Sequence, residues 1–94
     1  MDEEEINKKC IAIWGENEQI RQTIEECAEL IVQLAKYGRN INSSTGVQIC
    51  DEIADVEIMC QQMRLIFDPL NVAVDKIKDI KLLSLERRLE NESM

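Results

Sequence analysis

The chain has 94 residues and a formal net charge of −8. This length suits one domain, but it is near the lower end of sizes that bury an adequate core alone, so self-association is expected. An acidic chain lacks the basic surface that displaces counterions from phosphates, and we therefore expect no direct DNA or RNA binding.

The cysteines and the absence of histidine exclude further kinds of functional site. The four cysteines form no CxxC pair and histidine is absent, which gives no basis for a zinc finger or a cysteine–histidine nucleophile. Three cysteines fall on apolar helix faces, where a reduced thiol behaves as a small hydrophobic group, and we expect a cytoplasmic protein. No apolar run approaches the ~20 residues that span a bilayer, and the acidic N-terminus lacks a secretion-signal layout, so no membrane partner is expected.

The composition, with three glycines, one proline and three aromatic residues, favours helices over strands. Asp2 with Glu5 resembles a capping box that opens a short first helix ending near Trp14, just before a glycine. Asn17 can cap a second helix. That helix should run to about Tyr37, where the next residue, Gly38, supplies a C-terminal stop.

A polar, turn-rich stretch follows the second helix and predicts a loop. Thr45 with Gln48 forms another candidate capping box, which starts a third helix reaching about Phe67. Asp68 can cap a helix, and the proline that follows it suits the first turn. A fourth helix should therefore begin there and continue to about Leu89. We predict a single all-α domain over residues 1–94, a bundle of about four helices.

Each long helix carries an apolar seam at the helical spacing of ~100° per residue. We predict that these seams are the core faces of two antiparallel helices. Each helix also has a second apolar strip, more than one contact surface requires, which predicts a homodimer or homotetramer. The seams consist of Ile20, Ile24, Cys27, Ile31 and Leu34 in the second helix, and of Ile49, Ile53, Val56, Cys60, Met63 and Phe67 in the third.

A polar stripe beside each seam holds a pair of carboxylates on one helix face, Glu26 with Glu29 and Glu52 with Asp55. An antiparallel hairpin would bring the two pairs together. Four clustered carboxylates need a compensating charge, which Mg²⁺, or alternatively Mn²⁺, would supply. The other interpretation is an ordinary solvated surface; against it, none of the four residues has a Lys or Arg at i±3 or i±4.

Five further residues leave alternatives open. Glu25 is a second metal ligand or a base that orients water, or else a plain surface residue. Lys81 and Arg88 lie on a helical face that begins apolar. They either point inward and bind triphosphate oxygens, or extend their charged groups to the solvent at the surface. Trp14 and Tyr37, at the ends of the first two helices, either stack on a base or pack in the core or at the helix ends.

The ordered motifs EECAEL at residues 25–30 and DEIADV at 51–56 resemble the EExxE…ExxD signature of MazG-like nucleotide pyrophosphohydrolases. The similarity covers most of the chain, with Gln19 ahead of the first motif. The resemblance implies an all-α dimer or tetramer in which four carboxylates bind Mg²⁺: Glu26, Glu29, Glu52 and Asp55.

The resemblance further implies hydrolysis of a nucleoside or deoxynucleoside triphosphate to the monophosphate and pyrophosphate. Lys81 and Arg88 match phosphate-contacting positions of the family, whereas Ser84 stands where a basic residue is often found. Gln19 and Trp14 are further candidate substrate contacts. Water activated by the metal would attack the α-phosphorus, with Glu25 or Glu29 as its base.

Two alternatives accompany this hypothesis. The same architecture occurs in dimeric dUTP and dCTP hydrolases and in phosphoribosyl-ATP pyrophosphatase, so the substrate does not follow from the fold. An acidic helical module without catalytic activity, which dimerises and binds a partner through its surplus apolar faces, belongs to a different functional class.

Overall fold

The computed structural model describes residues 1–40, 42 and 45–92. Within those residues the chain is all-α, as predicted, and contains no strand. None of the described helices has the length and apolar character that crossing a membrane requires. The helices are α1 (Glu3–Trp14), α2 (Glu16–Arg39), α3 (Gly46–Phe67) and α4 (Ala73–Glu92).

Side-chain caps fix the starts of α1 and α3. The Asp2 carboxylate accepts the backbone N–H of Glu5 at 2.8 Å. At the start of α3, the Thr45 hydroxyl accepts the N–H of Gln48 at 3.1 Å, and the Gln48 side chain accepts the N–H of Thr45 at 2.8 Å. The capping box predicted for α3 is therefore confirmed, as is its end at Phe67.

The junction between α1 and α2 is a single residue, Gly15, and the predicted cap at Asn17 is wrong. Gly15 has φ +94°, which a residue with a Cβ rarely adopts. Its N–H donates to the carbonyl of Ile11 at 2.8 Å, and its carbonyl accepts the N–H of Gln19 at 3.1 Å. One glycine thus ends α1 and begins α2, so Asn17 already lies inside α2.

The end of α2 also differs from the prediction. Gly38 does not stop the helix, which continues to Arg39 and has Asn40 as its C-cap. The backbone N–H of Asn40 donates to the carbonyl of Lys36 at 3.0 Å. A glycine ends a helix only where the backbone turns into the left-handed region, and Gly38 is not among the glycines with positive φ.

The start of α4 lies later than predicted because residues 68–71 form a turn, in which the N–H of Asn71 donates to the carbonyl of Asp68 at 2.8 Å. The Asp68 carboxylate nevertheless caps α4, accepting the N–H groups of Val72, Ala73 and Val74 at 3.2, 3.1 and 2.9 Å. These hydrogen bonds, that from Val74 most of all, lower the pKa of Asp68.

Replacing Asp68 with alanine should lower the thermal unfolding midpoint by about 5 °C, because three N–H groups lose their acceptor. Asp68→Asn keeps one acceptor oxygen and should lose less. Since the folded-state pKa is lowered, the stabilisation is present above the ordinary pKa of aspartate and disappears as the pH falls through the lowered value. Thermal denaturation of all three proteins at neutral and strongly acidic pH tests this. Equal midpoints at neutral pH would contradict the capping role.

Helices α2 and α3 pack against each other, and α1 contacts both of them. Helix α4 stands apart: all of its residues except Val74 are exposed, although Asp75 forms an ion pair with Arg64 of α3 at 2.8 Å. The radius of gyration is 16.7 Å, compared with about 12 Å for a compact domain of this length. The single chain is therefore extended.

The apolar seams predicted as core faces are only partly covered in the single chain: the half-buried seam residues are Ile20, Cys27, Ile49, Val56 and Met63, and the others are exposed. Ile24 and Ile31 are each 65% exposed. Met59, at 6%, is the only buried apolar residue among those described. Instead, the polar stripes lie between α2 and α3. The apolar spacing correctly predicted that the two helices are amphipathic. It does not reveal whether the apolar face is covered by the same chain or by another copy.

Candidate metal site

Helices α2 and α3 bring the four predicted carboxylates together. Ligand oxygens of Glu26, Glu52 and Asp55 lie within 4.8 Å of one another. Glu29 lies close enough to Glu52, and Glu26 to Asp55, for their like charges to raise the pKa of Glu52 and of Asp55. Each pair that is three residues apart in sequence thus meets its counterpart on the other helix.

The cluster is half-buried, with Glu29 at its exposed edge and the other three carboxylates partly shielded. One oxygen of Glu26 accepts the side-chain amide of Gln22 at 2.8 Å. Within the described part of the chain, the other oxygen of Glu26 and one oxygen of Glu52 are buried without a hydrogen-bond partner. Buried polar atoms are nearly always paired, so these two oxygens are free to bind a ligand.

The electrostatics of the cluster point the same way. Partial burial raises the pKa of Glu52, and the neighbouring Glu29 carboxylate raises it further. Partial burial also raises the pKa of Asp55, with a further contribution from Glu26. The ion pairs of Lys8 with Glu4, Arg21 with Glu18 and Arg64 with Asp75 lie outside the cluster.

A hard divalent cation fits this donor set. Carboxylate oxygens are the ligands that Mg²⁺ and Mn²⁺ prefer, and a bound cation would offset the repulsion that opposes ionisation of Glu52 and Asp55. It would also give a partner to the two buried oxygens. Exposed acidic groups are common in proteins, but these two oxygens distinguish the cluster from an ordinary acidic surface.

The other predicted site residues lie around or away from the cluster. Glu25 is exposed on α2, and Trp14 and Tyr37 are exposed at the ends of α1 and α2. Lys81 and Arg88 are exposed on α4, which agrees with the surface alternative within one chain. Their contact with phosphate remains a prediction.

Gln19, predicted to contact substrate, has a different environment. Its side chain is only 5% exposed and donates to the amide oxygen of Gln62 at 2.7 Å. Gln62, which is 2% exposed, donates in turn to Asn7 of α1 at 3.1 Å. The amide of Gln19 is thus already used inside the protein, and a substrate contact remains a prediction.

Asn7, 3% exposed, was not identified from the sequence. A signal was available, because Asn7 shares a helix face with Cys10, Ile11 and Trp14 at spacings of three, four and seven residues. A polar side chain on the apolar face of a short helix needs a buried partner. The position of that partner on α3 could not be derived from the sequence of α1.

Compared with known proteins, the chain matches no family model, no curated protein and no solved structure. The resemblance to MazG-like enzymes therefore rests on the two acidic motifs and their order.

Proposed function

We propose that this protein is a Mg²⁺-dependent pyrophosphohydrolase that converts nucleoside or deoxynucleoside triphosphates to the monophosphate and pyrophosphate. The supporting observation is the carboxylate cluster. Oxygens of Glu26, Glu52 and Asp55 lie within 4.8 Å of one another, and two buried glutamate oxygens have no hydrogen-bond partner among the residues that the structure describes. Such a cluster calls for a hard divalent cation, and triphosphates are common partners of protein-bound Mg²⁺.

The cation would be held by four carboxylates, and when bound it would act as a Lewis acid and lower the pKa of a water molecule; the four are Glu26, Glu29, Glu52 and Asp55. Glu29, exposed beside Glu52, accepts a proton from the attacking water, and Glu25 is the alternative base. The water oxygen forms a bond to the α-phosphorus. The bond from that phosphorus to the bridging oxygen breaks, and pyrophosphate leaves with its electron pair.

The proposed enzyme is a homodimer or homotetramer with a core of antiparallel helices. The exposed apolar residues of α2 and α4 support self-association, because monomeric proteins rarely expose large contiguous apolar patches. Lys81 and Arg88 would contact the phosphates and Trp14 the base, within this assembly. The four free cysteines agree with a cytoplasmic location.

Pyrophosphate release by the purified chain tests the proposal. The protein is incubated with Mg²⁺ and each common NTP and dNTP, including dUTP and dCTP, and with phosphoribosyl-ATP. We expect pyrophosphate, not orthophosphate, from at least one substrate, and complete loss of release in excess EDTA. Absence of Mg²⁺-dependent pyrophosphate release from every substrate would contradict the enzyme proposal.

The exposed apolar faces also favour a second candidate, an acidic helical module that self-associates and binds a partner protein without catalysis. The two functions differ in their response to metal. A module of this kind would remain folded and oligomeric with the same thermal midpoint whether Mg²⁺ is present or removed. An enzyme that binds Mg²⁺ only in the folded state would be stabilised by it.

A further inference from the structure

Three buried amide side chains connect α1, α2 and α3 about two helical turns from the carboxylate cluster. Gln19 donates to Gln62 at 2.7 Å, and Gln62 donates to Asn7 at 3.1 Å. Buried amides weaken a helix interface unless their hydrogen bonds are made, so apolar residues would be the simpler way to fill these positions. The three residues are therefore expected to specify the structure rather than merely stabilise it.

The hydrogen bond between Gln19 and Gln62 and the contacts between carboxylates form in the same register of α2 against α3. Gln19 lies seven residues before Glu26 on α2, and Gln62 lies seven residues after Asp55 on α3. Seven residues are about two helical turns, so the two contacts share the same helix faces. Forming the bond between Gln19 and Gln62 is thus compatible with the contact between Glu26 and Asp55.

Electrostatics alone would favour a different alignment. A shift of three residues along α3 would leave only one carboxylate pair face to face, Glu26 with Glu52 in one direction or Glu29 with Asp55 in the other. Like charges that face each other are destabilising, so either shift would relieve repulsion. The metal-free carboxylates therefore cannot themselves hold the alignment that brings all four together.

The amides oppose both shifts. A shift of three residues would place Gln19 opposite Met59 in one direction and Leu65 in the other, neither of which offers a side-chain oxygen or N–H group. Gln62 would instead face Glu16 or Gln22, so Gln19 is the amide that either shift leaves buried without a polar partner on α3. Buried polar groups that can pair in only one alignment are a known means of fixing helix register.

We infer that Asn7, Gln19 and Gln62 are positioning residues, whose hydrogen-bonded chain sets the register of α2 against α3 and so assembles the carboxylate cluster. The role of the cluster as a cation site rests on the function proposed above, whereas the register itself does not. Helix α1 thereby becomes part of the site, although it contributes no carboxylate to it.

The test uses the double variant Gln19→Leu with Gln62→Leu. The single variant Gln62→Leu leaves Gln19 unpaired in a buried position and is expected to lose stability for that reason alone. Replacing both partners with apolar residues of similar size removes the penalty at Gln19 and leaves Asn7 as it is in the single variant, so the double variant should be at least as stable as the single one. Gln61→Leu, the same change at an exposed position of α3, is the control.

Register is measured by the distance between spin labels at Glu18→Cys on α2 and Glu57→Cys on α3, both exposed positions. These positions are offset along the helix axes, so a one-turn shift changes the axial separation by about 5 Å. Labelled chain is diluted with unlabelled chain so that distances between copies do not contribute. The native cysteines are replaced by alanine in this background: Cys10, Cys27, Cys50 and Cys60.

We expect a shifted or broadened distance distribution in the double variant and an unchanged one in Gln61→Leu. Asn7→Ala, a milder change, should broaden it in the same way but less. Mn²⁺ affinity, read from the free Mn²⁺ signal in paramagnetic resonance, should weaken about tenfold in the double variant even though its stability recovers. If the amides contributed only to stability, the Mn²⁺ affinity of the double variant would recover together with its stability.

A double variant with the wild-type distance distribution would overturn the inference. If the wild-type chain fails to bind Mn²⁺, the proposed function fails, and the distance measurement alone still decides whether the amides set the register. The two failures are therefore distinguishable.

Discussion

Glu52→Gln is expected to lower Mg²⁺-dependent pyrophosphate release by at least about a hundredfold, because it removes a charged ligand oxygen from the metal that stabilises the transition state. The same substitution should stabilise the metal-free protein at neutral pH. Partial burial and the Glu29 carboxylate raise the pKa of Glu52, which means that folding opposes its ionisation. An uncharged amide of nearly the same shape removes that opposition.

The pH dependence of this effect has a defined sign. Because the folded-state pKa of Glu52 is raised, the protonated carboxyl favours folding, and that advantage is lost as the pH rises through the raised value. The difference in stability between Glu52→Gln and wild type should therefore be largest at neutral pH. It should shrink to near zero below the ordinary pKa of glutamate.

Thermal denaturation with and without Mg²⁺, together with pyrophosphate release, measures both effects. Glu57→Gln is the matched control, since Glu57 is exposed on the same helix and outside the cluster. Wild type and Glu57→Gln should gain stability from Mg²⁺, whereas Glu52→Gln should gain little. Undiminished Mg²⁺ stabilisation of Glu52→Gln would argue against Glu52 as a ligand.

Ile31→Glu is expected to break up the assembly. Ile31 is 65% exposed in the single chain, and at such a surface position the substitution would usually change stability by less than about 0.5 kcal/mol. If a second copy covers this face, the change instead buries a charge without a partner. Truly buried charges of this kind cost several kcal/mol, enough to dissociate a small oligomer.

Sedimentation velocity of wild type and variant measures the outcome over a range of concentrations. Leu70→Glu serves as the control, because Leu70 is 84% exposed in the turn before α4 and belongs to no helix face. We expect dissociation by Ile31→Glu alone. A wild-type chain that sediments as a monomer at every concentration would contradict the proposed self-association.

The sequence predicted those features that depend on neighbouring residues. The caps at Asp2 and at Thr45 with Gln48 involve groups three residues apart, so their hydrogen bonds follow from local geometry. The carboxylate pairs within α2 and within α3 follow in the same way from helical spacing. These elements needed no knowledge of how the helices pack.

Features that depend on distant residues or on a backbone turn could not be predicted in this way. The hydrogen bond between Gln19 and Gln62 joins residues 43 positions apart. The late start of α4 depends on the turn at residues 68–71, which the sequence pattern of a cap followed by proline does not distinguish from the first turn of a helix. The spacing of the seam residues predicted two apolar faces. It could not predict whether the same chain or another copy packs against them.

The exposure of α4 has a consequence for how the protein behaves in a cell. An isolated helix of this length, 20 residues, is only marginally stable in water, and most helical stability in proteins comes from packing. Helix α4 receives little packing from its own chain. If other copies supply the missing surface, mass action makes the folded fraction depend on protein concentration. Expression level would then determine how much of the protein is ordered as well as how much of it is present.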